Sequence, residues 1–277
     1  MTTWFITGIS RGLGLALAQA ALAEGDTVIG TVRAGAPDLD LGAGALHVLP
    51  LDLADPEAIA ATVERAFALA GTIDVIVNNA GYGLLGALET ATDAEVAHLF
   101  AVDVFGPFRV IRAALPRLRA QGRGHIVNIT SIAGRAPGVG TSLYSAAKSA
   151  LEGLSASLAQ EVAPLGITVT AVAPGAFRTD FLSAHSIRRS PTEDAAYAAS
   201  VGRSSAAFAA AAGRQLGDPD RAARAIIAAV RADRPPLHLL LGSDALRRAR
   251  EKLDAVIEEI GRWEEVTRGT DFPVEAS

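Results

Sequence analysis

Short apolar runs alternate along the chain with longer amphipathic, alanine-rich stretches. A run of four to eight apolar or β-branched residues is typical of a buried strand, and the longer stretches carry apolar residues at helical spacing. The pattern predicts an α/β fold, a doubly wound parallel sheet with helices on both faces and therefore three layers. We expect seven strands, near residues 3–7, 27–32, 46–51, 73–78, 124–130, 167–172 and 237–241.

Turn and capping residues place several helix ends. A helix that begins at Gly12 is expected to end at Gly25, a residue suited to a left-handed cap. Asp55 and Pro56 provide an N-cap and a proline at the first helical position, and Gly71 closes that helix. Two further helices are expected, over about residues 92–120 with a bend at 106–107, and over about residues 243–264.

Residues 181–216 interrupt the alternation, because their Ser, Ala, Arg and Gly show no clear strand periodicity. A long insertion in an α/β domain is often a lid over the ligand, and the alternative is a plain surface loop. His185 in this segment would contact the substrate or face solvent.

The tail from residue 267 to 277 is expected to be loose. No repeat or linker divides the chain, so residues 1–277 are interpreted as one domain.

Composition and charge exclude several classes of protein. Half of the 277 residues are hydrophobic and the mean hydropathy is +0.29, which supports a large core rather than disorder. The formal net charge of −5 argues against a nucleic-acid or anionic-membrane surface. Without cysteine there is no disulfide or zinc–thiolate site, and no metal is expected. No apolar stretch reaches the ~18 residues of a membrane span, and a cytoplasmic location is predicted.

A glycine-rich turn follows the first predicted strand. Such a turn brings the backbone close to a phosphate, and the helix after it presents free N–H groups to the anion. The Gly-x3-Gly-x-Gly spacing therefore indicates a pyrophosphate site, and the alternative is a turn that only eases strand-to-helix packing. Its residues are Gly8, Ile9, Ser10, Arg11, Gly12, Leu13 and Gly14.

The end of the second strand bears on the choice of dinucleotide. An acidic side chain there binds a ribose 2′-hydroxyl, whereas an arginine suits a 2′-phosphate. Residues 28–33 end in Arg33, and Arg11 is expected to approach from the other side. NADP(H) is therefore favoured over NAD(H). Two alternatives stay open: both arginines are ordinary surface charges, or Asp38 or Asp40 loops back to the ribose.

Ser131 ends the fifth predicted strand, and Tyr144 and Lys148 follow at the start of an alanine-rich helix. Tyr144 and Lys148 are four residues apart and share one helical face. A neighbouring ammonium stabilises a phenolate, so Lys148 is expected to lower the pKa of Tyr144 and make it a usable acid or base. The alternative is a half-buried tyrosine and a surface lysine that happen to share this spacing.

Taken together, these motifs resemble the short-chain dehydrogenase/reductase family in its compact single-domain form. The resemblance covers about residues 4–180. It rests on the glycine turn, Asn78-Asn79-Ala80-Gly81, Ser131, Tyr144 with Lys148, and Pro174-Gly175. It implies a Rossmann-like sheet with strand order 3-2-1-4-5-6-7. It also implies hydride transfer between nicotinamide C4 and a carbonyl or carbinol carbon.

The resemblance assigns roles by position. Tyr144 becomes the acid/base, Lys148 its neighbour and a ligand of the nicotinamide ribose, and Ser131 the residue that orients the substrate oxygen. Thr179 would meet the nicotinamide carboxamide. The full set of expected cofactor-binding residues is Gly8, Ser10, Arg11, Gly12, Leu13, Gly14, Arg33, Asp52, Leu53, Asn79, Ala80, Gly81, Tyr144, Lys148, Pro174, Gly175 and Thr179.

Asp103 departs from the family pattern. The family usually places an asparagine there, which completes a proton relay through a water beside the lysine, mainly by its main-chain carbonyl. Aspartate would keep that geometry and add negative charge, so Asp103 is counted among the catalytic candidates. The alternative is a helix-bend residue with no catalytic part.

The segments that follow the motifs are expected to form the substrate pocket. They are mostly apolar, with no arginine cluster, and comprise Tyr82, Leu84, Leu85, residues 133–139 and Phe177 onward. We therefore expect a hydrophobic or aromatic ketone, aldehyde or alcohol as the small-molecule substrate. The glycine turn and residues 104–108 are similar to the hydroxysteroid and retinol dehydrogenase branch.

The leading hypothesis is thus an NADP-dependent carbonyl reductase or alcohol dehydrogenase. One alternative is a catalytically silent NADP-binding redox sensor or scaffold. Another is an epimerase or dehydratase of the extended branch, for which the chain is short. A homodimer or homotetramer is expected, through the alanine-rich faces of residues 101–120 and 146–163.

Overall fold

The computed structural model describes residues 1–35, 37–182, 186–190 and 194–272. The strands are β1 (Thr3–Ile6), β2 (Thr27–Val32), β3 (Ala45–Pro50), β4 (Val75–Asn78), β5 (Gly83–Leu85), β6 (Gly124–Ile129), β7 (Ile167–Pro174), β8 (Ile187–Arg189) and β9 (His238–Leu241). The helices are α1 (Gly12–Ala23), α2 (Pro56–Ala70), α3 (Asp93–Phe100), α4 (Gly106–Gln121), α5 (Ser142–Val162), α6 (Arg203–Ala211), α7 (Pro219–Val230), α8 (Ser243–Arg262) and α9 (Glu264–Arg268).

Seven parallel strands form the central sheet, in the order β3-β2-β1-β4-β6-β7-β9. This confirms the predicted doubly wound sheet and the 3-2-1-4-5-6-7 order of its seven strands. β1 lies between β2 and β4, where Trp4 is in register with Val28 on one side and Val75 on the other. The order reverses at β1, so the crevice at the carboxyl ends of β1 and β4 is where a ligand is expected.

Alternate residues of the strands pack against helices on opposite faces. Along β1, Trp4 and Ile6 belong to a core shared with α1 and α7, whereas Phe5 belongs to a core shared with α2, α4 and α5. All three side chains are almost fully buried. A strand buried on both faces explains why β1 reads as an unbroken apolar run, and the three-layer prediction is confirmed.

The predicted helix ends agree closely with the structure. Gly25 has a φ of +81° and its N–H donates to the carbonyl of Leu22. The Asp55 carboxylate accepts from the main-chain N–H groups of Glu57 and Ala58 at the start of α2. An N-cap of this kind contributes about 1 kcal/mol.

The long helix predicted over residues 92–120 is interrupted. A π-helical turn, Ala101–Phe105, separates α3 from α4. Pro107 explains part of the break, because it has no N–H to donate to the carbonyl of Asp103 four residues earlier. The turn directs the Asp103 side chain into the protein, where it is 1% exposed.

The second half of the chain contains elements that were not predicted. β8, inside the expected lid, pairs in parallel with β5, and α6 follows it. α7 was not predicted either. The start of the tail is not loose as expected, because α9 extends to Arg268. His185 and residues 273–277 lie outside the described residues.

No helix in the described part of the chain is both long and apolar enough to cross a bilayer. Within the same residues there is also no group of three or more His, Cys, Asp or Glu side chains placed to hold a metal ion.

Candidate functional site

A cleft of about 450 Å³ lies at the carboxyl ends of the central strands. Loops after β1, β4, β6 and β7 form its walls, together with α6 from the expected lid. The predicted site residues that line it are Gly8, Ser10, Arg11, Gly12, Leu13, Arg33, Asp52, Leu53, Asn79, Ala80, Gly81, Ser131, Tyr144, Lys148, Pro174, Gly175 and Thr179. Gly14 and Asp103 lie behind the lining.

The glycine turn allows other groups to come close to its main chain. Gly8 has a φ of +74°, a conformation that favours glycine. A Cβ on Gly14 would lie 2.3 Å from Nδ2 of Asn79 and 2.3 Å from the carbonyl oxygen of Gly8. That same Nδ2 donates to the carbonyls of Thr7 and Gly8, at 2.9 and 3.0 Å. Gly14 therefore allows Asn79 to hold the turn, and it does not line the cleft.

The start of α1 is chemically suited to an anion. Its N-cap residue is Arg11, whose side chain makes no capping hydrogen bond. The first N–H groups of a helix are then left for another acceptor, and the helix dipole favours negative charge there. The residues present therefore fit a pyrophosphate at this end of the cleft.

Arg33 is exposed at the end of β2 and lines the cleft with Arg11. Asp38 and Asp40 do not line it. The main chain of Asp40 is instead paired with the side chain of Gln19 on α1, with hydrogen bonds of 3.0 and 2.7 Å. The alternative in which one of these aspartates reaches the cleft is not supported by their positions.

A buried chain of polar side chains fixes α5 against the sheet. Asn78 donates to Asn128 at 2.8 Å, and Asn128 donates to Ser155 of α5 at 2.8 Å. The Ser155 hydroxyl donates onward to the carbonyl of Leu151. Buried hydrogen-bonded networks of this kind rigidify the elements they join. The helix that carries Tyr144 and Lys148 is thus held in a fixed position relative to β4 and β6.

Ser131, Tyr144 and Lys148 come together where β6 meets α5. The Ser131 hydroxyl accepts from the N–H of Ala133 at 3.1 Å, and Ser131 is close enough to Tyr144 to lower the pKa of the phenol. The Lys148 ammonium nitrogen lies 5.7 Å from the centre of the Tyr144 ring and donates to the carbonyl of Ile129 at 3.3 Å. All three predicted residues are at least nine-tenths buried, yet all line the cleft.

The sign of the Tyr144 pKa shift differs from the prediction. Burial raises the pKa of Tyr144 above its ordinary value of 10.0, because the charged phenolate is poorly solvated. Lys148 and the hydrogen bond from Ser131 act in the opposite direction, as expected, but Asp103 adds to the rise. The hydroxyl of Tyr144 is therefore protonated at neutral pH in the protein alone.

Asp103 reaches the site through Lys148. Its Oδ2 lies 3.1 Å from the Lys148 ammonium, and its Oδ1 accepts from the N–H of Tyr82 at 3.1 Å. Burial alone would lower the pKa of Lys148, but the neighbouring acidic groups outweigh burial and raise that pKa, chiefly through the negative charge of Asp103 and its hydrogen bond to the ammonium. Gly81 leaves room for the carboxylate, since a Cβ there would be 2.9 Å from Oδ2. Lys148 is thus held as a cation.

The substrate end of the cleft is mostly apolar. Of the expected residues, Tyr82, Leu85, Ala133, Gly138 and Phe177 line it, whereas Leu84, residues 134–137 and Val139 do not. From the expected lid, Phe181, Arg188, Phe208, Ala211 and Gln215 line the cleft, and His98 and Arg248 line it without having been predicted.

Arg188 and Arg248 bring two arginines to a pocket that was expected to have no arginine cluster. Arg188 lies 4.8 Å from the centre of the Tyr82 ring, and Arg248 donates to the carbonyl of Ala136. These contacts join segments far apart in the chain. Residue spacing in the sequence therefore gives little indication that these two arginines reach the pocket.

The comparisons with known proteins agree with this architecture. Residues 2–189 match the model of the short chain dehydrogenase family. Oxidoreductase BOA17 from Botryotinia fuckeliana is 36% identical over 268 residues, which cover 95% of this chain and 97% of that protein. A solved short-chain dehydrogenase from Streptomyces avermitilis is 44% identical with a TM-score of 0.90, covering 98% of this chain and 100% of the other.

Another solved short-chain dehydrogenase, from Sphingobium yanoikuyae in complex with NADPH, is 25% identical with a TM-score of 0.71. It covers 100% of this chain and 99% of the other. The chain belongs to the short-chain dehydrogenase/reductase family. It is an oxidoreductase of the class that acts on CH–OH and C=O groups.

Proposed function

We propose that the protein is an NADP-dependent oxidoreductase that interconverts a hydrophobic or aromatic ketone or aldehyde and its alcohol, with Tyr144 as the acid/base. The observation that carries the proposal is the buried group of Ser131, Tyr144 and Lys148 on the wall of one cleft. The other wall carries the glycine turn. Proton-transfer groups and an anion site therefore face the same space.

The cofactor would be held along the carboxyl ends of the strands. The glycine turn and the start of α1 would take the pyrophosphate, Asp52 and Leu53 would flank the adenine, and Asn79 would support the adjacent ribose. When bound, NADPH supplies the hydride from C4 of its nicotinamide. Arg33 and Arg11 would face the 2′-phosphate, since both line this part of the cleft and Asp38 and Asp40 do not. The relative from Sphingobium yanoikuyae was solved with NADPH, which supports the same choice.

The state of Tyr144 suits carbonyl reduction. A protonated phenol can donate to the oxygen of a ketone as negative charge develops there, and Ser131 can donate a second hydrogen bond to the same oxygen. The cation of Lys148 favours the phenolate that remains after the proton has left. Asp103 would keep Lys148 charged and in place.

Apolar side chains around the reacting groups favour an apolar substrate. The Tyr144 and Phe181 rings lie 6.0 Å apart between their centres, and Phe208 and Ala211 of α6 line the same cleft. Such surface binds a hydrophobic body and leaves the carbonyl to Tyr144 and Ser131.

One feature supports the second candidate, a silent NADP-binding sensor or scaffold. The Asp103 carboxylate opposes the effect of Lys148 on the pKa of Tyr144. If this charge prevents proton transfer, the protein would bind the dinucleotide without turning over.

Purified protein, NADPH and a panel of hydrophobic and aromatic ketones and aldehydes separate these functions. We expect ketone-dependent loss of NADPH absorbance. Binding of NADPH without oxidation across the panel would favour the sensor. Conversion of a nucleotide sugar would favour an extended-branch epimerase instead.

A further inference from the structure

Gln215 stands out among the residues of the cleft. It is only 4% exposed and lines the cleft, and within the described residues neither its Nε2 nor its Oε1 has a hydrogen-bond partner. Burying an amide without hydrogen-bond partners is unfavourable. A buried polar group left unpaired beside a cleft is therefore a candidate ligand-binding group.

The main chain around Gln215 places it at the cofactor end. Its carbonyl accepts from Nε of Arg178 at 3.3 Å. Two residues later, Gly217 donates to the carbonyl of Ala176 and accepts from the N–H of Arg178. The segment carrying Gln215 is thus paired with the segment that follows β7 and leads to Thr179. The Cβ of Thr179 is 3.7 Å from the position of a Cβ on Gly12, so this strand end faces the glycine turn.

The chemistry of the side chain narrows the choice of ligand. A glutamine amide offers one acceptor oxygen and an NH₂ donor side by side, and both are unpaired here. A ketone oxygen only accepts, and Ser131 and Tyr144 already serve it in the proposed mechanism. The carboxamide of a nicotinamide carries an adjacent acceptor and donor.

We propose that Gln215 binds the nicotinamide carboxamide, with Oε1 accepting from its NH₂ group and Nε2 donating to its oxygen. This inference rests on the proposed function, because it takes the cofactor to be a nicotinamide dinucleotide. Gln215 would bind both polar atoms of the carboxamide, in addition to the contact that is expected from Thr179.

Binding measurements test the proposal without turnover. Dissociation constants are measured by calorimetry for NADP⁺ and for its 3-acetylpyridine analogue, in which a methyl group replaces the carboxamide NH₂. The variants are Gln215→Leu and, as a matched control, Gln160→Leu on the exposed face of α5.

We expect Gln215→Leu to weaken NADP⁺ binding about tenfold and to reduce the preference for NADP⁺ over the analogue about fivefold. Gln160→Leu should change neither value. The melting temperature of the ligand-free Gln215→Leu protein should be no lower than that of the wild type, since the amide that it removes has no partner.

Three results would overturn the proposal. The first is an unchanged preference between the two nucleotides in Gln215→Leu. The second is a raised KM for the ketone with unaltered nucleotide binding, which would assign Gln215 to the substrate. The third is a clearly lower melting temperature of the ligand-free variant, which would give the amide a structural partner. Failure of the wild type to bind either nucleotide would instead reject the proposed function.

An independent observation concerns the outer part of α8. The helix is anchored by Ala245 and Ala249, which are buried against Ile132 and Ala136. From residue 251 to 268 every residue is exposed except the half-buried Val256. Exposed apolar side chains run along α8 and into α9, namely Leu246, Leu253, Ile257, Ile260, Trp263 and Val266.

The spacing of these residues is that of a helix-pairing seam. Leu246, Leu253 and Ile260 recur every seven residues, and Val256 lies between Leu253 and Ile260 at the second core position of the heptad. Leu253 and Ile260 are 61% and 63% exposed, so the seam has no partner within the described chain. An uncovered seam of this length is typical of a protein–protein contact.

The charged residues of α8 and α9 indicate what kind of partner would fit this seam. The charges are unevenly distributed along the chain. Residues 244–252 carry Arg247, Arg248, Arg250 and Lys252 against Asp244 and Glu251, whereas residues 254–268 carry Asp254, Glu258, Glu259, Glu264 and Glu265 against Arg262 and Arg268. Two copies packed antiparallel would bring the basic part of each α8 against the acidic part of the other. We propose that α8 pairs with α8 of a second copy of this chain in this way.

Light scattering coupled to gel filtration tests the pairing. Leu253→Glu with Ile260→Glu should halve the mass of the assembly, whereas Leu69→Glu on the exposed face of α2 should not change it. Arg250→Glu with Lys252→Glu should also split the assembly, and adding Glu258→Lys with Glu259→Lys should restore it. A monomeric wild type, or an assembly that survives the first pair of changes, would overturn the proposal.

Discussion

Asp103→Asn separates the shape of this side chain from its charge. Asparagine keeps an oxygen that can accept from the N–H of Tyr82, a bond of 3.1 Å in the wild type. It removes the carboxylate that lies 3.1 Å from the Lys148 ammonium. Lys148 keeps its hydrogen bond to the carbonyl of Ile129. We therefore expect the site to hold its geometry and lose one negative charge.

The expected cost falls mainly on stability. Two unit charges 3.1 Å apart attract by about 5 kcal/mol at an effective dielectric constant of ~20. Desolvation offsets much of this attraction, but removal of one partner leaves a buried cation and costs roughly 3 kcal/mol. In a chain of this size, that loss lowers the melting temperature by roughly 8 °C.

The rate of ketone reduction should change less than the stability does. Asp103 helps to raise the pKa of Tyr144, so removing its charge favours the phenolate and lowers that pKa. Reduction needs the protonated phenol, and the basic limb of the kcat/KM profile should therefore move to lower pH. We expect the maximal rate to stay within about tenfold of the wild type, because Ser131, Tyr144 and Lys148 keep their places.

The assay is the pH profile of ketone reduction with saturating NADPH. Asp26→Asn is the matched control, because Asp26 is also buried and paired with an arginine, Arg231, but does not line the cleft. It should lower stability without moving the profile. A loss of more than about 100-fold in Asp103→Asn that stays folded would show that the carboxylate has a specific chemical role and would refute this reasoning.

Two further predictions concern the cofactor and the core. Arg33→Ala should weaken NADPH binding about tenfold and NADH binding little, whereas Arg65→Ala on α2 should affect neither; equal weakening of both would mean that Arg33 does not bind the 2′-phosphate. His125 is buried, and its pKa falls from 6.5 to about 4. Because the unfolded chain lets His125 bind a proton below pH 6.5, the free energy of unfolding falls as the pH drops from 6.5 towards 4. The expected loss is about 2 kcal/mol between pH 8 and pH 5. Urea unfolding should show this loss in the wild type and not in His125→Val; parallel pH curves would contradict it.

The sequence predicted the central sheet well because each strand is a local signal. A strand buried on both faces is mostly apolar, so Trp4–Ile6 of β1 and Val75–Val77 of β4 appear as short uninterrupted apolar runs. β5 and β8 have only three residues each, and they pair across about 100 residues of chain. Runs so short show no periodicity, and the pairing depends on tertiary contacts.

The missed helix α7 is different, because its signal was available. Asp218 caps α7 and Pro219 follows at the first helical position, the same pair of residues that identified α2 at Asp55 and Pro56. The π-helical turn before Pro107 was anticipated only as a bend. Its consequence, the burial of Asp103, depends on how the turn packs against α5.

For the site, residue spacing predicted side chains that the structure does bring to one cleft, but it did not predict the direction of the Tyr144 pKa shift. Tyr144 and Lys148 share a helical face, which implies a lowered pKa for the phenol. Desolvation depends on what covers the ring, and here Phe181 from a distant segment packs against it. Gln215 was missed for a related reason, since only the pairing of its segment with residues 176–178 brings it to the cleft.

The central claim is that the Tyr144 hydroxyl exchanges the proton in the reaction. Tyr144→Phe removes that hydroxyl and little else, and Tyr197→Phe is the matched control because its hydroxyl bonds Glu89 away from the cleft. The measurement is turnover of the best ketone alongside calorimetric binding of NADPH. We expect Tyr144→Phe to bind NADPH as the wild type does and to lose about 10²- to 10⁴-fold in kcat, with Tyr197→Phe unaffected. A Tyr144→Phe enzyme with near-normal kcat would contradict the account.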